Sequence, residues 1–257
     1  MNFDPSSSDD LLRLTLYLTP DHECGYFKDR PAATLYVDPD YEMNMRTYQF
    51  LLYQGFRRSG DQVYRPYCRD CHECIPIRLP VEKFKLSKSL RRVWKKNQDL
   101  TVTASPPSIT QERFELYQNY INNRHEDGPM ANPTPDDFLS FLDCSWGKTQ
   151  FVEFRLDTKL LMVAVIDCLE DGLSAVYTFF DPAFSSRSLG TYAILWEVKE
   201  AQSLGNKWLY LGYWVEGCKK MRYKSRFKPM QIYQERKWVE YDLAVPDIAV
   251  LKAKKFG

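Results

Sequence analysis

Three apolar stretches follow one another with almost no chain between them: Thr149 to Leu156, Leu160 to Cys168 and Leu173 to Phe180. The separators Asp157-Thr158-Lys159 and Glu170-Asp171-Gly172 are hairpin-sized and rich in turn formers, so the three segments are predicted to be antiparallel neighbours. Beyond them Leu189 to Leu204 reads as a helix closed by Gly205, and Lys207 to Trp214 as a further strand. The order strand, strand, strand, helix, strand points to an α+β fold: a mixed sheet with helices packed on it.

Elsewhere, Leu11 to Leu18 reads as a strand, and Tyr41, Met45, Tyr48 and Leu52 recur at helical spacing and stop at Gly55. Cys68 to Pro76 has the composition of a loop, and Ser87 to Asn97 that of a helix with Leu90, Val93 and Trp94 on one side. Ser108 with Gln111 predicts a capping box for a helix burying Phe114, Tyr117 and Ile121, and Thr134-Pro135 opens another with Asp136 and Asp137 in its first turn. A last strand is expected near Gln231 to Tyr241. The composition changes at Pro106-Pro107, which predicts a smaller cysteine-bearing N-terminal α+β domain over 1–106 and a second domain over 107–257.

With 44% apolar residues in a chain of 257, there is enough to bury one large core or two modest ones. The formal net charge is +1, so attraction to a polyanion must come from local patches. The longest apolar run, Leu160 to Ile166, is far short of the roughly 20 residues that cross a bilayer, so no membrane association is expected. The start of the chain has neither a basic nor an apolar leader region, and a cytoplasmic location is expected.

In a reducing compartment the seven cysteines suit metal binding or core packing better than disulfides. Cys68, Cys71 and Cys74 form Cys-x-x-Cys-x-x-Cys, and Cys24 sits in a separate turn-like stretch. Three thiolates at this spacing converge on one ion, and a fourth closes a zinc site or completes an iron–sulfur cluster. The alternative is a set of inert small loop residues. Cys144, Cys168 and Cys218 are expected in the core.

Two basic blocks stand out. Between Lys83 and Lys96, seven of 14 residues are Lys or Arg and none is acidic. Between Lys219 and Lys228, six of ten are basic and alternate with Met221, Tyr223 and Phe227. Cations interleaved with aromatics suit an unpaired RNA end, where phosphates are neutralised and bases stacked. No helix-turn-helix or zinc-finger spacing is visible, so DNA is not an expected partner. A solvated face remains the other reading of the first block.

The order of elements after residue 148, with Arg187-x-x-Gly190 feeding a helix, resembles the acyl-CoA N-acetyltransferase (GNAT) core. In that fold the turn's amides and the helix N-terminus face a pyrophosphate. Tyr192 stands where the pattern expects a small residue, and no CoA is expected. Gly55 to Gly60, Tyr64 to Cys68, Cys74 to Arg78, Val176 to Pro182, Ser188 to Tyr192, Tyr210 to Trp214 and Lys219 to Lys224, taken in order, closely resemble the arginyl-tRNA-protein transferase family, in particular its bacterial, leucyl-transferring branch.

The resemblance implies transfer of an aminoacyl group from leucyl-tRNA to the α-amine of a protein beginning with Asp or Glu, a mark for degradation by the N-end rule. It also implies that Cys24, Cys68, Cys71 and Cys74 hold a metal or cluster. An arginyl donor is the near alternative; an acyl-CoA-dependent N-acyltransferase and a non-catalytic RNA-binding or metal-sensing module are more distant. Within this reading Tyr177 and Asp181 are candidates to orient the amine or accept its proton, although Asp181-Pro182 also suits a strand stop and Tyr177 a core. Arg187, Ser188 and Gly190 are expected at the terminal phosphates or adenosine of the RNA. Arg78, Lys219 and Lys224 are candidate partners for the acidic acceptor side chain, Tyr223 for a base, and Trp214 with Tyr213 for a leucyl side chain.

Overall fold

The structure is a computed structural model that describes residues 13–124 and 132–241. The chain begins with β1 (Leu16–Leu18), a ribbon of β2 (His22–Glu23) and β3 (Pro31–Ala32), and β4 (Thr34–Val37). Helix α1 (Met45–Tyr53) leads into the hairpin β5 (Arg57–Ser59) and β6 (Gln62–Pro66), followed by β7 (Ile75–Pro80), α2 (Lys88–Lys96) and β8 (Thr101–Ser105). Then come α3 (Gln111–Arg124), α4 (Pro135–Leu142), β9 (Thr149–Leu156), β10 (Lys159–Cys168) and β11 (Gly172–Phe180). A 3-10 segment, Pro182–Arg187, precedes α5 (Leu189–Ser203) and β12 (Trp208–Trp214). A second, Lys219–Arg226, precedes the hairpin β13 (Met230–Gln234) and β14 (Lys237–Tyr241).

The three predicted strands are antiparallel neighbours as expected, and the helix closed by Gly205 and the strand after it complete the expected mixed sheet. Its eight strands run β14-β13-β7-β12-β11-β10-β9-β8. Among the described residues only β11 and β12 pair in parallel, which the crossover through α5 requires. Strand β10 is buried on both faces. Its Met162, Ala164 and Ile166 pack under α5 with Leu189, Ala193 and Val198, while Val163 and Val165 face α3 and α4 through Tyr117, Ile121 and Phe138. Alternation along a strand delivers these two cores, and a strand sandwiched in this way reads as one apolar run.

A four-stranded sheet, β1-β4-β6-β5, packs with α1 at the side. Two strands of the large sheet, β7 and β8, precede residue 106, so both stretches of sequence build it. Strand β7 went unread because Pro76 and Pro80 punctuate it; both lie near the ends of its pairing with β12, where a missing N–H removes least.

Smaller expectations also shift. The first strand spans Leu16–Leu18, and Leu11 and Leu12 lie outside the described residues. The cap of α3 is Thr110, not Ser108: the Arg113 amide donates to Thr110 Oγ1 at 3.3 Å, and Ser108 Oγ accepts from the Arg113 guanidinium at 2.6 Å. Thr134 and Asp137 form the capping box of α4. Among the described residues no helix is long and apolar enough to cross a membrane.

Candidate active site in the splayed strands

Strands β11 and β12 pair only at Gly172 with Trp208, Leu173 with Leu209 and Ser174 with Tyr210. Beyond that they part, although β11 continues to Phe180 and β12 to Trp214. A gap in a sheet strips main-chain groups of their ladder partners, and buried ones must find others. The gap opens into a cleft of about 840 Å³ lined by Val176, Tyr177, Phe180, Leu211 and Tyr213 among others.

Two cations from distant segments seal the apex. Arg57, on β5 of the smaller sheet, donates through Nη1 to Ser174 Oγ at 3.0 Å and through Nη2 to the Ala175 carbonyl. Lys224 Nζ donates to the carbonyls of Leu211 at 2.7 Å and Tyr213 at 2.8 Å. Between those carbonyls sits Gly212 at φ +70°, and a Cβ there would lie 3.3 Å from Arg57 Nε. Glycine is required twice over, by the left-handed backbone and by the approach of the guanidinium.

Beneath the apex, α5 contributes Glu197, which is fully buried. Neither of its carboxylate oxygens has a hydrogen-bond partner among the described residues. Burial pushes its carboxyl up to about 8, against the pull of Arg57 and Lys224. Burial likewise lowers Lys224 to about 7, with Arg57 adding to the effect and Glu197 opposing it. The apex therefore holds a guanidinium beside an amine and a carboxyl, and the last two depend on one another for their charge.

At the mouth, Ser188 adopts a left-handed conformation (φ 55°, ψ 47°) and begins α5 without capping it through its side chain. The first amides of a helix have no partner within it, and Ser188, Leu189 and Gly190 all line the cleft, so this terminus is suited to an anion.

The family model described as Arginine-tRNA-protein transferase, C terminus, matches residues 112–234, and its N-terminus counterpart matches 22–92. The chain belongs to the arginine-tRNA-protein transferase family. It is 47% identical, over 90% of its own length and 98% of the relative's, to an aspartate/glutamate leucyltransferase of Pseudomonas fluorescens (strain Pf0-1). A protein of the same name from Hahella chejuensis (strain KCTC 2396) is 48% identical over 89% of this chain and 98% of that protein. Among solved structures, the C-terminal domain of a putative lysylphosphatidylglycerol synthetase from Agrobacterium fabrum gives a TM-score of 0.44 at 16% identity, covering 56% of this chain and 47% of that one.

In this arginine-tRNA-protein transferase family member the cleft gathers Tyr177, Ser188, Gly190, Tyr223 and Lys224 from the sequence candidates. Other candidates lie elsewhere. Asp181 accepts from the Ala183 amide at 3.0 Å as a cap and pairs with Lys159 at 2.8 Å, so both its oxygens are engaged outside the cleft. Arg187 forms a two-pronged pair with Asp99 at 2.8 and 2.9 Å. Arg78 is buried in an aromatic box, its guanidinium carbon 3.5 Å from the ring centre of Trp208 and 4.4 Å from that of Trp238. Trp214 is a core residue against Tyr241, whereas its neighbour Tyr213 lines the cleft and donates to the Gly55 carbonyl at 2.9 Å. Lys219 is exposed and outside the lining. Tyr192 points into the core between Trp94 and Phe154, away from the helix terminus.

Arg57, Gly212 and Glu197 are the site residues that sequence reading missed. The alternation of Arg57-Arg58 after a helix-ending glycine gave no hint that both side chains are buried. Glu197, a lone acid amid the apolar face of α5, was the available signal, because a carboxylate in such a position needs a reason.

Cys24, Cys68, Cys71 and Cys74 are half-buried free thiols. They share one neighbourhood: burial pushes the Cys74 thiol up to about 12, and Cys24, Cys68 and Cys71 add to this in that order. The donor chemistry fits zinc or an iron–sulfur centre, but among the described residues no three potential ligands converge as a metal site. The turn bearing Gly25 and Tyr26 lines the cleft, so the cysteine region borders the site.

Proposed function

We propose that this protein transfers leucine from leucyl-tRNA to the α-amine of proteins that begin with Asp or Glu. The observation that carries the reading is near end-to-end similarity to relatives of that name, at 47% identity over 98% of the relative's length. The splayed cleft suits it: one side bears a helix terminus for the RNA's phosphate, and the floor bears cations.

The donor is already an activated ester, so the site's work is to align two reactants and stabilise the charge that develops. The neutral α-amine attacks the ester carbonyl, the C–N bond forms, the C–O bond to the ribose breaks, and a proton passes from nitrogen to the departing ribose oxygen. In this reading Ser188 and Gly190 hold the RNA's 3′ end, Tyr223 stacks on a base, and Val176, Phe180, Leu211 and Met221 surround the leucyl side chain. Tyr177 orients the amine, and Arg57 with Lys224 supplies the positive field that an acidic acceptor side chain seeks. The four cysteines would hold a metal or cluster that fixes the adjoining turn; no step passes through it. The reaction belongs to the cytoplasm, where charged tRNA and nascent proteins meet.

The test is incubation with labelled leucyl-tRNA and peptides differing only in their first residue. Leucine should appear on Asp- and Glu-initiated peptides and not on an Ala-initiated one. Preferred use of arginyl-tRNA in competition would shift the reading to the arginyl donor, and no transfer from either would overturn it.

A further inference from the structure

The two basic blocks lie more than a hundred residues apart in sequence, and the fold joins them. Phe84, from the first, stacks on Phe227, from the second, with ring centres 6.3 Å apart and planes 27° from parallel. The second block lines the cleft, and the first is tied to its rim. The C-terminal end of α2 is fastened to the 3-10 segment before α5: Lys96 Nζ donates to the Ser186 carbonyl at 2.8 Å, Asn97 Nδ2 to the Arg187 carbonyl at 3.0 Å, and Arg187 Nη1 returns a bond to the Lys96 carbonyl at 3.2 Å. That segment gives Ser185 to the cleft lining, and the second block gives Lys220, Met221, Tyr223 and Lys224.

Lys83, Lys85, Lys88, Arg91, Arg92, Lys95 and Lys96 are all exposed. Among the described residues none of these seven takes part in an ion pair. The acids at the two ends of the stretch are Glu82 and Asp99, and Asp99 is committed to Arg187. A solvated helix face on a nearly neutral protein commonly mixes both signs; this one carries a single sign and leads to the mouth of the site.

We infer that α2 and the Lys219–Arg226 segment form one continuous phosphate-binding face, on which the acceptor stem of the RNA donor lies while its 3′ end turns over the Pro182–Arg187 segment into the cleft. The inference rests on the aminoacyl-tRNA reading and adds where the body of the RNA is held. The cleft handles the ester and the terminal nucleotides; the outer face reads backbone charge alone. Helix α2, nine residues and therefore about 13 Å long, presents its cations as a strip and not a point. A protein partner with an acidic surface is disfavoured, because the strip runs to the same mouth that must admit a ribose.

The test uses the full chain with Lys88→Gln, Arg91→Gln, Arg92→Gln and Lys95→Gln combined, none of which lines the cleft. Transfer is measured from whole leucyl-tRNA and from a leucylated 3′-terminal trinucleotide, and binding of uncharged tRNA is titrated across salt. KM for whole leucyl-tRNA should rise at least about tenfold near 0.15 M salt, and the slope of log affinity against log salt should fall by about two to three, as expected for losing several phosphate contacts. kcat, the trinucleotide's KM and the melting temperature should stay as in the unmodified protein. An unchanged KM for whole tRNA, an equal loss with both donors, or a rise confined to the acceptor protein's KM would each overturn the inference. If the unmodified protein transfers from neither donor, the functional reading fails by itself, and the titration of uncharged tRNA still decides whether this face binds RNA.

Discussion

Arg58 and Asp167, 109 residues apart in sequence, meet in a bidentate pair with Nε–Oδ2 at 2.8 Å and Nη2–Oδ1 at 2.6 Å. Both side chains are essentially inaccessible. Arg58 also donates to the Leu142 carbonyl and Thr149 Oγ1, so this one guanidinium ties the smaller sheet to α4 and β9. Its neighbour Arg57 reaches the cleft apex, so the pair also sets the position of a site residue.

Removing one partner of such a pair leaves a buried charge uncompensated. Asp167→Ala is expected to lower unfolding stability by about 3–5 kcal/mol in urea titration. Replacing both partners with apolar residues should recover part of that loss. A single-mutant loss below about 1 kcal/mol would show that the charge finds water or another partner.

At Gly212 two requirements coincide, and they can be separated. Gly212→Ala forces a side chain into the left-handed region, which costs about 1–2 kcal/mol, and presses on Arg57. Gly205 has a similar φ of +68° with nothing within 4 Å of the added Cβ. Gly205→Ala should therefore lose comparable stability while keeping its transfer rate, and Gly212→Ala should also lose rate, by about tenfold if the reactants are misaligned. Equal rates in the two variants would separate Arg57's position from the reaction.

Glu197 gives the apex a pH dependence. Its carboxyl is raised from an ordinary 4.5 to about 8 in the folded protein. Between these values the folded state binds the extra proton, so its contribution to stability is full below about 4.5 and is lost as pH rises through about 8. Glu197→Gln keeps the shape without the charge, and its stability advantage over the parent should grow across that window to a few kcal/mol, at about 1.4 kcal/mol for each tenfold change in proton affinity. Thermal unfolding of both proteins between pH 5 and 9 measures it; parallel curves would mean that Glu197 is ionised in the fold throughout.

The cysteine region offers a compositional test. Protein purified without oxygen should carry zinc or iron in elemental analysis, and Cys74→Ser should lower both the metal content and the melting temperature. Equal metal content in the parent and the variant would remove Cys74 from the ligand set.

The sequence made legible what depends on local order. β9, β10, β11, α5 and β12 emerge from apolar runs and turn residues because each buried face has its own periodicity. What it concealed depends on pairing across long separations. Strand β7 contacts β12 and β13 only after the chain has travelled past residue 200, and its prolines disguise it. Arg78 looked like a site residue because it follows the cysteine loop; its neighbours Trp208 and Trp238 are distant in sequence, and only folding reveals the aromatic box. The same holds for Arg57, whose significance comes from a gap between two strands that no local pattern encodes.

The place of β7 governs what evolution can do with this chain. Sitting between β12 and β13, it is the keystone course of the wall: without it the terminal hairpin has no strand of the sheet to pair with. A truncated gene encoding only the later residues would not yield a leaner catalyst; it would yield a broken sheet with two sticky seams. Recombination that swapped one half for a distant cousin's would have to match that seam residue by residue.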